Sequence, residues 1–336
     1  MTILPTRRVG PFTVSAIGLG CMNLNHAYGT PPSAEEGAAL LRRALELGIT
    51  FFDTAALYGL GESEKLVGRT LGADRSRVTL ASKCVLDFRD GKRSLDGSPD
   101  AIAKTLEGSL ARLGTDHIDL YYLHRLDRNV PIEDSVGALV RAREAGKIGA
   151  IGLSEMSAAT IRRAQAVHPI AAVQSEYSCV VRNPEIAVLD ACRDLGIGFV
   201  AFSPVARGML AGAVRDDAYG AHDIRAQMPR FFGENLRHNL TAIAAFDALA
   251  AELGCTPAQL AMAWVLSRGD TIVPIPGTRS IPHLEEDIGS LDVAVTTDVA
   301  ARIDAIFAPG AIRGARYTAA MQAQIDTETF AGEELA

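Results

Sequence analysis

The chain has 336 residues, 48% of them hydrophobic, and a formal net charge of -7. That apolar content supplies a large core, and the length suits one barrel or two ordinary domains. The acidic balance, without a dense Lys/Arg run, argues against nucleic acid as a partner, and no apolar stretch approaches the length of a membrane span. The cysteines (Cys21, Cys84, Cys179, Cys192 and Cys255) are odd in number and scattered, with no CxxC, so neither a disulfide frame nor a zinc site is indicated. Residues 1–10 lack the apolar core of a signal peptide, and a soluble cytoplasmic protein is the expectation.

In chain order, Arg7-Arg8-Val9-Gly10-Pro11-Phe12-Thr13-Val14 reads as a short hairpin. Apolar strand-like runs follow at 17–20, 49–53, 78–83, 118–123, 150–153, 171–175, 198–202 and 271–275, with amphipathic helices between them. In the first helix Leu40, Leu41, Ala44 and Leu45 share one face, while Arg42, Arg43 and Glu46 share another. Helix starts are marked by Ser33-Ala34-Glu35-Glu36, Ser98-Pro99 and Thr256-Pro257-Ala258-Gln259. Gly48, Gly114, Gly146 and Gly196 mark stops.

Strand–helix alternation repeated eight times predicts an α/β fold, a parallel (β/α)8 TIM barrel, as one domain over 1–336. The N-terminal hairpin would close its bottom, and 314–336 would form a C-terminal tail. The rival is a doubly wound sheet, which usually carries a Gly-rich fingerprint after its first strand. Gly18-Leu19-Gly20-Cys21-Met22-Asn23 lacks the third glycine, and Gly59-Leu60-Gly61 fails because Glu64 occupies that position.

Barrel enzymes place chemistry at the C-terminal ends of strands. Asp53 ends the second strand, Tyr58 follows it, Lys83 ends the third, and His124 follows the fourth. Taken singly, a strand-end Asp or Lys is often half of an ion pair, and a lone His is more often a satisfied hydrogen-bond partner. Together they supply what hydride transfer to a carbonyl requires. The oxygen must gain a proton, and a phenol is a reluctant acid unless an ammonium stabilises its phenolate. A carboxylate holds the ammonium, and an imidazole orients substrate or relays the proton.

Over residues 8 to about 291 the chain resembles the aldo-keto reductases. The most specific pieces are Gly48-Ile49-Thr50-Phe51-Phe52-Asp53-Thr54-Ala55-Ala56-Leu57-Tyr58-Gly59, Ala81-Ser82-Lys83 and Asp119-Leu120-Tyr121-Tyr122-Leu123-His124. Gly152-Leu153-Ser154-Glu155, Val173-Gln174-Ser175-Glu176-Tyr177 and Ile275-Pro276-Gly277-Thr278-Arg279 add to it. The resemblance is strongest to the branch of pyridoxal reductase-like and perakine reductase-like enzymes. It implies a tetrad of Asp53, Tyr58, Lys83 and His124, with Tyr58 as general acid, and NADPH/NADP+ bound extended without a Rossmann domain.

The resemblance also implies cofactor contacts. Ser154 and Gln174 would hold the nicotinamide carboxamide, beside Glu155, where the family often has Asn. Phe202 would stack on the nicotinamide ring. The loop Ser203-Pro204-Val205-Ala206-Arg207-Gly208 would pass over the pyrophosphate. Gly277, Thr278 and Arg279 open the last helix and would favour a 2′-phosphate, hence NADPH over NADH. Other branches have Lys at Gly277 and Arg at His283. Glu286 and Asp287 would face the adenosine, with Asp replacing a common Asn.

The partner expected is a small-molecule aldehyde or ketone, and no metal is called for. Its pocket would be lined by 22–28, Leu57, 86–88, 125–127 and an insertion at 210–232. That insertion either closes over substrate or is a solvated loop. The tail either docks beside the mouth or joins copies, with 332–336 expected to be loose. Two other functions fit the same residues. One is a Schiff-base barrel enzyme using Lys83, which borohydride would trap. The other is an NADPH-binding sensor subunit with slow turnover.

Overall fold

The computed structural model describes residues 4–89 and 92–335; residues 1–3, 90, 91 and 336 lie outside the description. Eight parallel strands stand side by side in chain order: Leu19–Gly20, Phe51–Asp53, Thr79–Cys84, Ile118–Leu123, Ile148–Ser154, Ala172–Glu176, Gly198–Phe202 and Ile272–Ile275. Two backbone bonds join the last strand to the first, Gly18 N to Pro274 O at 3.0 Å and Gly20 N to Pro276 O at 2.9 Å. The result is the (β/α)8 barrel the alternation predicts.

The first strand is shorter than its apolar run. Gly18 and Gly20 lie at the seam, where a Cβ on Gly18 would meet Phe51 at 2.8 Å and one on Gly20 would meet the Ile275 carbonyl at 2.9 Å. Gly18-Leu19-Gly20 is therefore a packing device that lets strands one, two and eight approach.

Side chains alternate between the barrel interior and the helix layer. Phe51, Ala81, Leu120, Tyr122, Ala172, Val200 and Val273 belong to the interior cluster. Phe52, Tyr121, Leu153, Val173 and Phe199 pack outward under the helices. Opposite Tyr122 in the register is Gly152, where a Cβ would stand 2.3 Å from the Tyr122 ring. Gly152 thus makes room for that aromatic ring, and Gly152→Ala overpacks the barrel by about 1–3 kcal/mol.

The N-terminal hairpin pairs Thr6–Val9 with Phe12–Ser15. Val9 and Val14 join the interior cluster, and the Arg7 guanidinium donates to the carbonyls of Leu266, Gly269 and Ile272. It plugs the N-terminal end of the barrel.

Helix ends follow their local chemistry. Ser33 and Thr256 form full capping boxes with Glu36 and Gln259, and Ser98 caps Pro99–Leu113. At the bottom of the barrel Gly48, Gly114, Gly146 and Gly196 take left-handed turns. At the top, non-glycine residues do so: Ala27, Leu60, Val85, Glu155, Ser203, Ala206, Arg207 and His222. Each of those follows the C-terminal end of a strand. Backbone strain is thus confined to the face that carries chemistry in such barrels.

Three elements elaborate that face. Leu86–Arg89 and Lys92–Leu95 form an antiparallel hairpin after strand three, where a plain loop was expected. The 210–232 insertion makes short turns at Ile224–Gln227 and Pro229–Phe231, and Asp223 bridges to Tyr28 across the cleft mouth. The tail docks on the loops after strands four to six. Asp326 accepts from Ser157 and Thr160, and Arg128 pairs with Asp326 at 3.1 Å. Its end is pinned rather than loose: Glu333 accepts from Asn183 and Glu334 from the Gly314 backbone. Of 332–336, residue 336 lies outside the described residues. Among the described residues, no single helix is long and apolar enough to cross a membrane.

Candidate active site

Strand parity builds the site. Asp53 follows Phe51 on the interior side, Lys83 follows Ala81, His124 follows Tyr122, Gln174 follows Ala172 and Phe202 follows Val200. The side chains that fill the barrel lower down give way to polar ones at its mouth. Tyr58 reaches the same point from the turn Tyr58–Gly61, whose Gly59, Leu60 and Gly61 all have positive φ. A Cβ at Gly59 would stand 2.8 Å from Asn25 Cβ, so the turn lies tight against the loop after strand one.

The four predicted groups converge. The Lys83 ammonium pairs with Asp53, donates to Thr54 O at 2.9 Å and lies 3.3 Å from the Tyr58 hydroxyl. Gln174 donates to the other Asp53 oxygen at 2.8 Å. The His124 ring meets Tyr58 edge-on at 5.8 Å between centroids, and His26 stacks on the other side at 6.2 Å. The buried His124 Nδ1 has no hydrogen-bond partner among the described residues.

Burial and charge set the protonation states. Burial pushes the Tyr58 phenol up, and the Lys83 charge opposes this without cancelling it. For Lys83, burial alone would favour the neutral amine, but Asp53 and Tyr58 outweigh it and hold the ammonium. Burial, then Arg125, Lys83 and Arg93, drives His124 well below its ordinary value, so its ring is neutral. The ammonium's lowering pull that the sequence predicts is present, but desolvation exceeds it. The outcome still suits an acid. The phenol stays protonated at neutral pH, and Lys83 stabilises the phenolate once the proton leaves.

A cleft of about 500 Å³ runs from this cluster across the barrel top. Asp53, Tyr58, His124, Ser154, Gln174 and Phe202 line its inner part. Ser203, Pro204, Val205, Arg207 and Gly208 line its middle. Gly277, Thr278, Arg279, His283, Glu286 and Asp287 line its far part.

The pattern of the aldo/keto reductase family matches residues 16–308. The chain belongs to that family. It is 42% identical over 334 residues to the aldo-keto reductase yakc of Schizosaccharomyces pombe, whose name carries NADP(+), covering 97% of this chain and 98% of that one. It is 42% identical to a probable aldo-keto reductase 1 of Glycine max, covering 91% and 89%. Its structure resembles the glycerol dehydrogenase AKR11B4 from Gluconobacter oxydans, with a TM-score of 0.82 and 28% identity over 90% of this chain and 95% of that one.

In this aldo-keto reductase two expected cofactor residues are already engaged. Glu155 does not line the cleft. Its backbone turns at φ 53, and its carboxylate is buried against the Glu176 amide, Arg316 at 2.8 Å and Thr327. The placement beside the carboxamide is therefore corrected: the side chain binds the tail. Arg207 lines the cleft, but its guanidinium pairs with Glu176 at 3.0 Å and lies near the hydroxyls of Tyr317 and Tyr28. Only its buried Nε has no partner.

At the far part the structure explains a departure from other branches. A Cβ on Gly277 would stand 2.8 Å from Asn23 Oδ1 and 3.0 Å from the Gly20 carbonyl, and Asn23 donates to the Gly277 carbonyl, so a side chain there would have to displace Asn23. Ser280 caps Ile281–Gly289, and Arg279 at that helix start is held by Thr30 O at 2.6 Å. Thr278 accepts from the Ser280 amide. Burial, with Glu286 adding to it, pushes Asp287 up to about 8, so at neutral pH it is largely a neutral carboxyl able to donate, like the Asn it replaces. A long cleft, a capped helix N-terminus with an adjacent guanidinium and an orphaned Arg207 donor fit an extended dinucleotide.

The reading of the sequence missed Arg93, Tyr317 and Met321, all of which line the cleft. Arg93 lies on the hairpin after strand three. Its signal was the alternation of Leu86 and Phe88 answered by Leu95. The tail residues gave no local signal.

Proposed function

We propose that this enzyme reduces an aldehyde or ketone to the alcohol with NADPH, and that Tyr58 supplies the proton. The observation that carries this is Lys83, held between Asp53 and the Tyr58 hydroxyl at the inner end of the cleft. Bound NADPH supplies the hydride that goes to the carbonyl carbon.

The protein's own groups do the rest. Neutral His124 and Tyr58 receive the carbonyl oxygen, His124 through a ring N–H and Tyr58 through its hydroxyl. Tyr58 gives up its proton as charge builds on that oxygen, and Lys83 stabilises the phenolate that remains. Asp53, braced by Gln174, keeps Lys83 charged and in place. Ser154, Gln174 and Phe202 would hold the nicotinamide end, and the 203–208 loop and Arg279 would hold the phosphates. The reverse oxidation uses the same groups.

The NADP(+) in the yakc name and the helix-start guanidinium of Arg279 support NADPH over NADH. The ammonium state of Lys83 disfavours the Schiff-base reading, which needs a neutral amine. Tyr58→Phe tests the proposal. Turnover of a panel of aldehydes and ketones falls by about 10²–10⁴-fold, while NADPH fluorescence titration is unchanged. Undiminished turnover removes Tyr58 as the acid. Nucleotide binding by the native enzyme with no turnover on the panel favours the sensor reading.

A further inference from the structure

The cations lining the cleft fall into two groups. Arg207 is neutralised by Glu176 at 3.0 Å and Arg225 by Asp223 at 2.7 Å. Arg279 makes no ion pair among the described residues, and the cofactor phosphate proposed above accounts for it. Arg93 and Arg125 also line the cleft and, among the described residues, neither makes an ion pair with a carboxylate. Arg93 comes from the hairpin after strand three, and Arg125 follows His124 after strand four. The cofactor contacts proposed above come from strands five to eight, whereas these two arginines come from the loops after strands three and four, beside Tyr58 and His124.

Their hydrogen bonding is incomplete. Arg125 donates through Nη1 alone, to His124 O at 2.6 Å and Ser154 Oγ at 3.3 Å. The Arg93 Nε is buried with no partner. Burial, and then the neighbouring charge of Arg125, works against the Arg93 cation. Among the described residues Asp53 is engaged by Lys83 and Gln174, and Asp127 by Gly97 N and Asn129. Two half-buried guanidinium groups, one with an unpartnered Nε and neither ion-paired among the described residues, beside Tyr58 and His124, match an oxyanion.

We infer that the substrate is a carbonyl compound bearing an anionic group, a carboxylate or phosphate, which Arg93 and Arg125 bind while the carbonyl oxygen meets Tyr58 and His124. This rests on the reductase reading and names its substrate class. Arg93 is then a specificity-determining residue, and neutral aldehydes are poorer substrates than anionic ones of the same shape.

The test separates binding from turnover. With the enzyme saturated with NADP+, calorimetric titration compares benzoate and phenyl phosphate with neutral benzamide. At least one anion binds at least tenfold tighter than benzamide, and added salt weakens that preference. Whichever anion binds tighter assigns carboxylate or phosphate. Arg93→Gln loses the preference and Arg93→Lys keeps part of it, while NADPH titration of each variant reports an intact cofactor cleft. The kinetic arm compares 4-carboxybenzaldehyde and 4-formylphenyl phosphate with methyl 4-formylbenzoate. The anion-to-ester ratio of kcat/KM falls at least tenfold in Arg93→Gln. Benzamide binding as tightly as both anions, or a preference that survives Arg93→Gln, overturns the inference. Anion preference without turnover of any aldehyde would leave the anion site standing and sink the reductase reading. Turnover without charge preference would do the reverse.

Discussion

Lys83 Nζ lies 3.3 Å from the Tyr58 hydroxyl and 4.9 Å from the centroid of the same ring. One buried ammonium thus faces both the hydroxyl and the ring of Tyr58. Lys83→Met removes it and strands Asp53, which is 1% exposed, without a cation. Breaking such a pair costs about 3–5 kcal/mol, read as a shift in the urea midpoint. Asp53→Leu in the same chain restores much of that stability and none of the activity. A double variant that regained turnover would show that Lys83 serves the fold alone.

The pH profile follows from two opposite shifts. The Tyr58 pKa is raised by burial, so the phenol remains protonated until pH passes above its ordinary value near 10. His124 is driven well below 6.5 and gains a proton only in distinctly acid solution. Initial rates of carbonyl reduction at saturating NADPH therefore stay flat through neutral pH, falling on the alkaline side as Tyr58 ionises. A rate that halves near pH 7 would contradict both assignments.

Arg279→Ala separates the two nicotinamide cofactors. Loss of a charge-assisted contact to a 2′-phosphate costs about 1.5–3 kcal/mol, or roughly tenfold or more in NADPH affinity. NADH has no such phosphate, and its affinity holds. Fluorescence titration with both nucleotides checks this, and equal weakening shows that Arg279 does not read the phosphate.

Arg316→Ala tests the tail. Glu155 is wholly buried, and Arg316 is its cationic partner at 2.8 Å. Removing that cation destabilises the fold by about 3–5 kcal/mol, and Glu155→Gln in the same chain recovers part of it. Denaturant unfolding of the two variants decides; an unshifted midpoint for Arg316→Ala would mean that the tail adds nothing to barrel stability.

Much of the site was legible because strand periodicity is strict. Phe51 and Asp53, or Tyr122 and His124, are two residues apart, so an interior residue low in the barrel points to a functional one at its mouth. The same rule could have warned against Glu155, which follows inward-facing Ser154 by one residue. The capping boxes at Ser33 and Thr256 were readable because both partners lie within one helical turn. What escaped depends on distant contacts. The hairpin at 86–95 is short and charged, and its strand pairing rather than its composition defines it. Tyr317 is held at the cleft by contacts far away in sequence, its hydroxyl donating to Glu176, 141 residues earlier. The seam glycines Gly18 and Gly20 resemble part of a phosphate fingerprint in sequence because their packing neighbour, Ile275, lies in the last strand, far along the chain.

The docked tail bears on how the molecule is made. The ribosome releases Glu155 161 residues ahead of Arg316. Throughout that interval the fifth strand ends in a carboxylate whose counter-ion has not been synthesised, so the growing barrel has reason to stay open at its top. The segment that neutralises that charge and brings Tyr317 to the cleft emerges only after all eight strands. A chain that stops short of Arg316 therefore carries an unpaired carboxylate at the top of an otherwise complete set of strands, and closing the barrel mouth waits on a contact made across 161 residues.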